Sequence, residues 1–255
     1  MIKTSNSKKS FIVMLVAILV VAAAIAFIVF EETTSKSDLF ENQDFAAAVG
    51  EALGKAPSFI TKEALEQVKY VEISANSDND YFVALAYDDF LEVYRKYLAA
   101  YYANEDTSNF NFEGLFTGAV FKLNDGEKLD DIKLFTGAEV LTVSSVSFTD
   151  SSVFSGMSNL TNLEVVGAGL TEVNGLSHLD AEKIDRINLA SNNITDWSVI
   201  DYLKDKVYVE SYYTITPSED GTIDYSNMVL VEKTLSEYYD DLAKAEAEEK
   251  ADAEN

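Results

Sequence analysis

Between Asn159 and Trp197 the apolar residues fall twice into one spacing: apolar, two residues, apolar, one residue, apolar, then another apolar five further on. The first pass uses Leu160, Leu163, Val165 and Leu170, and the second uses Ile184, Ile187, Leu189 and Ile194. The middle pair of each set alternates like a short strand, so its two apolar residues share one face and their neighbours the other. Upstream, apolar residues recur every third position at Leu129, Ile132, Phe135, Ala138 and Leu141, followed by Val143 and Phe148. The same step returns at Phe154, Met157, Leu160 and Leu163 and suits 3₁₀-like turns, whose residues i and i+3 eclipse. Strand starts at Leu141, Leu163, Ile187 and Val207 are then 22, 24 and 20 residues apart. A unit of that size cannot bury its apolar edge alone, so the spacing predicts stacked copies.

Earlier in the chain the period changes. Phe45, Ala46, Val49 and Leu53 share a helical face that Gly54 and Pro57 terminate. A second helix starts from Thr61 as N-cap and runs through Ala64, Leu65 and Val68 into Val71 and Ile73, where the repeat spacing reappears. At position 78, where the repeat's next apolar residue is due, stands Asp78, so residues 77–113 read as an insertion. In it Tyr81–Tyr87 predicts a strand, and Phe90, Leu91, Tyr94, Leu98 and Tyr101 predict a helix with an aromatic core stripe. Phe-Thr-Gly-Ala occurs at 116–119 and again at 135–138, each time before alternating apolar residues, as an internal repeat would.

The spacing resembles the leucine-rich repeat L-x-x-L-x-L-x-x-N-x-L, with Asn192 in its Asn slot; Val146 and Ala168 occupy that slot in neighbouring copies. Helix, short break, Ile-Thr-Lys-Glu at 60–63 and a first repeat strand are similar to the N-terminal cap of bacterial, internalin-like leucine-rich repeat proteins. The resemblance implies an α/β fold: a leucine-rich repeat solenoid of about six short parallel strand rungs, counting Val71 and a degenerate copy near Phe121. A helical N-terminal cap opens the solenoid, and one transmembrane helix precedes it. The segments are 1–10 basic, 11–30 membrane span, 31–38 linker, 39–76 cap and first repeat, 77–113 insertion and 114–231 repeats with a C-terminal cap. Residues 232–255 are expected to form a helix that frays into an acidic, disordered tail.

Phe11–Phe30 is an uninterrupted run of twenty uncharged, apolar residues, about 30 Å as a helix and enough to cross a bilayer core. Lys3, Lys8 and Lys9 before it predict a cytoplasmic N-terminus and an extracellular C-terminal domain. Ala24-Ile25-Ala26 is an alternative signal cleavage site, which would release the domain, although Phe27–Phe30 prolong the apolar run beyond it. All 44 acids lie after residue 30 with 16 of the 19 Lys and Arg, a charge near −28 there. Such a surface excludes nucleic-acid binding and favours cationic partners.

There is no cysteine, which rules out disulfides and thiolate chemistry, and one histidine, His178, set between Leu176 and Leu179 on a return arm. A catalytic histidine needs a nucleophile and an orienting acid, and no pattern supplies them. Asn76-x-Asp78-x-Asp80 echoes a calcium loop but has Tyr81 and Tyr87 where the glycine and the bidentate glutamate belong. The expectation is a non-enzymatic protein without metal or cofactor.

In the resembled fold the outward residues of each strand line a concave face. Here the candidate ligand-binding residues are Tyr70, Glu72, Thr142, Asn162, Glu164, Arg186, Asn188, Lys206, Tyr208 and Glu210. Tyr and Arg are enriched at interface hot spots. The expected function is binding of a protein or cell-surface ligand, as in adhesion or recognition. The alternative is a structural or accessory subunit of a cell-envelope membrane complex, contacted through the apolar helix and the Tyr-rich insertion.

Overall fold

The computed structural model describes residues 36–77, 80–103, 105–215 and 228–253. The expected membrane span Phe11–Phe30, with the alternative cleavage site at Ala26, lies outside them, as does Asp78 of the calcium-loop echo. Among the described residues no helix is long and apolar enough to cross a membrane.

Helix α1 (Gln43–Leu53) opens the fold, with the Asn42 side chain accepting from the Phe45 amide and Gly54 ending the helix at φ 63°. Phe45, Ala46 and Val49 are fully buried. The short helix α2 (Lys62–Glu66), capped by Thr61, buries Leu65. Asp131, 2% exposed, fastens this cap to the first return arm: its carboxylate accepts from the Glu41 and Asn42 amides at 2.9 and 2.7 Å.

The strands are β1 (Tyr70–Ser77), β2 (Asp80–Ala86), β3 (Phe116–Lys122), β4 (Val140–Ser144), β5 (Asn162–Val166), β6 (Arg186–Asn188), β7 (Val207–Ile215) and β8 (Met228–Thr234). They form one sheet in the order β3-β2-β1-β4-β5-β6-β7-β8. β1, β4, β5, β6 and β7 are mutually parallel, while β2, β3 and β8 pair antiparallel at the two ends. The sheet is therefore mixed, with five parallel rungs rather than about six. The stretch near Phe121, expected as a degenerate rung, is the outer strand of an edge hairpin. The reason is visible at β1, which continues to Ser77 where a rung would turn to its return arm; β2 then runs back along it. The two Phe-Thr-Gly-Ala copies consequently differ in structure: Phe116 begins edge strand β3 and is 43% exposed, whereas Phe135 is fully buried beside a return arm.

The apolar residues of the rungs, Val71 and Ile73, Leu141 and Val143, Leu163 and Val165, Ile187 and Leu189, and Val207, are at most 1% exposed. The return arms pack against them through 3₁₀ turns at Asp130–Leu134, Ser151–Phe154, Asn174–Leu176 and Ser198–Leu203. Stacking is close: a Cβ on Gly175 would stand 1.9 Å from the Ser151 carbonyl oxygen. The three middle rungs, β4, β5 and β6, turn through a left-handed residue five positions after the strand begins, at Ser145, Gly167 and Ser191. Asn192, next to the last of these, has its Oδ1 accept from the Ala168 and Leu170 amides while its Nδ2 donates to the Val165 and Leu189 carbonyls. One amide thus serves two rungs.

At the far end β8 pairs with β7, and helix α4 (Leu235–Ala253) follows directly. The acidic segment expected to fray is helical through Ala253. Leu235 is fully buried, and Tyr238 and Tyr239 pack on the core edge.

A covered concave face and its remaining cleft

Parallel register aligns the outward side chains in rows across the sheet. One row runs Ala86, Tyr70, Val140, Asn162, Arg186; the next runs Ala84, Glu72, Thr142, Glu164, Asn188, Tyr208. The insertion returns over these rows. After β2, helix α3 (Asp88–Tyr102) starts at Tyr87 and lays Phe90, Leu91 and Tyr94 on Tyr70, Ala86 and Val140, a small second core. The Tyr70 ring lies 4.5 Å from that of Phe90 and 5.4 Å from that of Tyr94, centroid to centroid. Farther along, Arg95 pairs with Glu139 beside β4 at 2.6 Å.

Tyr70, expected to meet a ligand, is thereby buried under the protein's own insertion. Its hydroxyl donates to Glu72 Oε2 at 2.7 Å, and burial, with the Glu72 carboxylate beside it, raises its pKa far above the ordinary tyrosine value. Asn188 is buried as well, its Oδ1 accepting from the Ala190 amide. Lys206 donates to the Ala181 and Ile184 carbonyls and so ties one return arm to the next rung. Glu210 lies near the β8 edge, paired with Lys233 at 3.5 Å.

The remaining candidates stay together. Thr142, Asn162, Glu164 and Arg186 line a slot beneath Tyr94 and Leu98 of α3. It lies next to a wider cleft of about 420 Å³ lined by Arg95, Leu98, Asn162, Asp185, Arg186 and Tyr208. The Arg186 guanidinium carbon sits 3.8 Å from the centroid of the Tyr208 ring and also pairs with Glu232 of β8. Burial raises the Glu164 pKa above the ordinary carboxylate value; Arg186 opposes that shift, and Glu232 and Glu72 reinforce it. The cleft combines a rigid aromatic–cation pair, amide and carboxylate groups, and an apolar wall from Leu98. Such a surface offers a ligand shape, an aromatic face and polar contacts. His178 lies away from it, exposed, its Nδ1 3.0 Å from the Gly175 carbonyl.

Arg95, Leu98 and Asp185 escaped the sequence reading. The helical stripe that carries Leu98 was legible as a core stripe; which surface it covers was not. A helix lying over the concave rows shows only in the tertiary arrangement.

Five in-register parallel rungs with 3₁₀ return arms and a helical cap define a leucine-rich repeat solenoid. Among solved structures, an internalin from Listeria monocytogenes is similar to this chain, at 20% identity and a TM-score of 0.41. The match covers 67% of this chain and 36% of that one, so the chain spans little more than a third of the internalin's length. No protein-family model matches the chain. No curated protein matches it either. The solenoid itself rests on the strand register.

Proposed function

We propose that this protein is a membrane-anchored, extracytoplasmic leucine-rich repeat protein that binds a protein or cell-surface ligand without catalysis. The ligand seats in the part of the concave face left open by α3, between Leu98 and Tyr208. One observation carries the reading: the insertion covers the first two rungs but leaves a cleft over β5–β7 in which the Arg186 guanidinium sits over the Tyr208 ring. Fixed Tyr and Arg side chains offer contact area with little ordering cost on binding. The apolar segment 11–30 with its preceding lysines supports the anchor, N-terminus in the cytoplasm.

The test uses the full chain to capture a partner from a cell-envelope extract, compared with Asn162→Arg and Leu98→Arg, which fill the cleft from two sides. Loss of the captured partner at unchanged thermal stability supports the cleft. Capture that survives both but disappears when Phe11–Phe30 is replaced by an unrelated span assigns the contact to the membrane helix instead. Protease or an impermeant label applied to intact cells tests the topology, and a domain protected until lysis refutes it.

A further inference from the structure

Nearer the β2–β3 edge, the insertion forms a second pocket, open on one side and of about 410 Å³, between α3 and the outward face of β1 and β2. Its walls are aromatic: Phe82 from β2, Phe90, Tyr94 and Tyr97 from α3, and Phe112 from the following loop. These rings brace one another. Phe90 and Tyr94 stack at 5.4 Å, Phe112 stands 5.5 Å from Phe90, and Tyr97 meets Phe112 edge to face at 5.5 Å. On the neighbouring strand Gly118 makes room for the Phe82 ring, since a Cβ there would stand 2.3 Å from its Cζ. Among the described residues Glu72 is the one carboxylate that lines the pocket, and no Lys, Arg or His lines it. The Tyr70 hydroxyl engages Glu72 Oε2, and among the described residues no ion pair engages the carboxylate.

An apolar pocket that only packed would gain nothing from a carboxylate among its lining residues. Aromatic faces carry negative potential and attract cations. A net charge of −25 adds a long-range field of the same sign. We propose that this pocket binds a small organic cation, an alkylammonium head seated among the rings of Phe82, Phe90, Tyr94, Tyr97 and Phe112 with Glu72 as counter-ion. The site is separate from the Arg186 cleft and does not depend on the partner reading given to that cleft.

Titration calorimetry on the full chain, in a non-ionic detergent without ammonium groups, compares choline with its neutral isostere, in which carbon replaces nitrogen. Choline should bind about fivefold more tightly than the isostere, the scale of a cation–π contact at a partly exposed site. Glu72→Gln keeps an acceptor for the Tyr70 hydroxyl and should weaken choline by about tenfold with thermal stability unchanged; Phe112→Ala, which opens a wall, should weaken it further. Equal binding of the isostere would show a merely apolar pocket, and no binding of choline, or indifference to both substitutions, would overturn the proposal. Trp197, the single tryptophan, lines a separate aromatic groove with Tyr238 and Tyr239. Choline that quenches its fluorescence undiminished in Glu72→Gln would place the cation there and also refute the assignment.

Discussion

The Arg186 guanidinium carbon sits over the Tyr208 ring, 3.8 Å from its centroid, and the same guanidinium pairs with the Glu232 carboxylate. Arg186 belongs to β6, Tyr208 to β7 and Glu232 to β8, so one side chain spans the last two rungs and the terminal strand. Both charged partners are largely shielded, with side chains 15% and 17% exposed. Arg186→Ala leaves Glu232 without its counter-charge and Tyr208 uncovered, and should cost about 2–3 kcal/mol. Arg186→Lys keeps charge but loses the planar guanidinium and should recover only part of that. Urea unfolding followed by far-UV circular dichroism measures both.

Asn192 satisfies backbone groups of two consecutive turns. Asn192→Ala removes all of these bonds at a half-buried site and should destabilise by about 2–3 kcal/mol. Asn192→Asp keeps the acceptor for the Ala168 and Leu170 amides but cannot donate, and the negative charge would face the Val165 and Leu189 carbonyls. It should be no better than alanine at neutral pH and improve on acidification, which a pair of melting curves at two pH values would show.

The return arms give a paired prediction. Gly175→Ala forces a Cβ into the Ser151 carbonyl, where backbone must move, and should cost about 3 kcal/mol or prevent folding. Gly156→Ala meets only the Thr136 Cγ2 at 3.3 Å and should be tolerated within about 1 kcal/mol. Equal losses from the two would mean that the arms do not stack this closely.

Glu164 sets a pH dependence. Its carboxyl has a raised pKa in the fold, so the folded protein holds that proton more tightly than the unfolded chain does. The penalty for the charged form is therefore present at neutral pH and relieved as pH falls through the folded pKa toward the ordinary glutamate value. Glu164→Gln mimics the protonated form and should raise the unfolding midpoint at pH 7. The gain should shrink as pH is lowered and vanish below about pH 4.5. A constant or reversed difference would show that Arg186 outweighs burial at this site.

How much of this was legible in the sequence differed by element. The rung residues Leu163, Val165, Ile187 and Leu189 were readable because the same apolar spacing recurs in both copies. Helix α1 was readable from its 3.6-residue period and from Gly54 at its end. The edge hairpin was only half legible: Tyr81–Tyr87 has strand chemistry, but nothing local says that β3 pairs with β2 rather than standing between β1 and β4. The candidate site suffered most. Alternation placed Tyr70, Asn162, Arg186 and Tyr208 on one face correctly, yet whether that face is open depends on a helix from a different segment. Asp131 shows a further limit, since a clamp across 89 residues to the Asn42 amide leaves no local pattern.

Helix α3 also changes how the solenoid unravels. In a stack where every rung touches only its neighbours, the terminal unit can peel away alone, and stability is a sum along one dimension. Here the insertion leaves after β1, yet its helix closes over β1 and β4, pairs through Arg95 with Glu139 and reaches Asn162 of β5 through Leu98. The first rung, entered seventy residues before its parallel neighbour, is thus held to its second neighbour as well as its first. The capped end should open as a single cooperative block of β1, α3, β4 and β5, and loss of order should begin at the β8 end, where the tie across β6, β7 and β8 is a side chain, Arg186, over Tyr208 and against Glu232. Amide hydrogen exchange would display this as one shared opening rate for Val71, Leu141 and Leu163, slower than that of Val207.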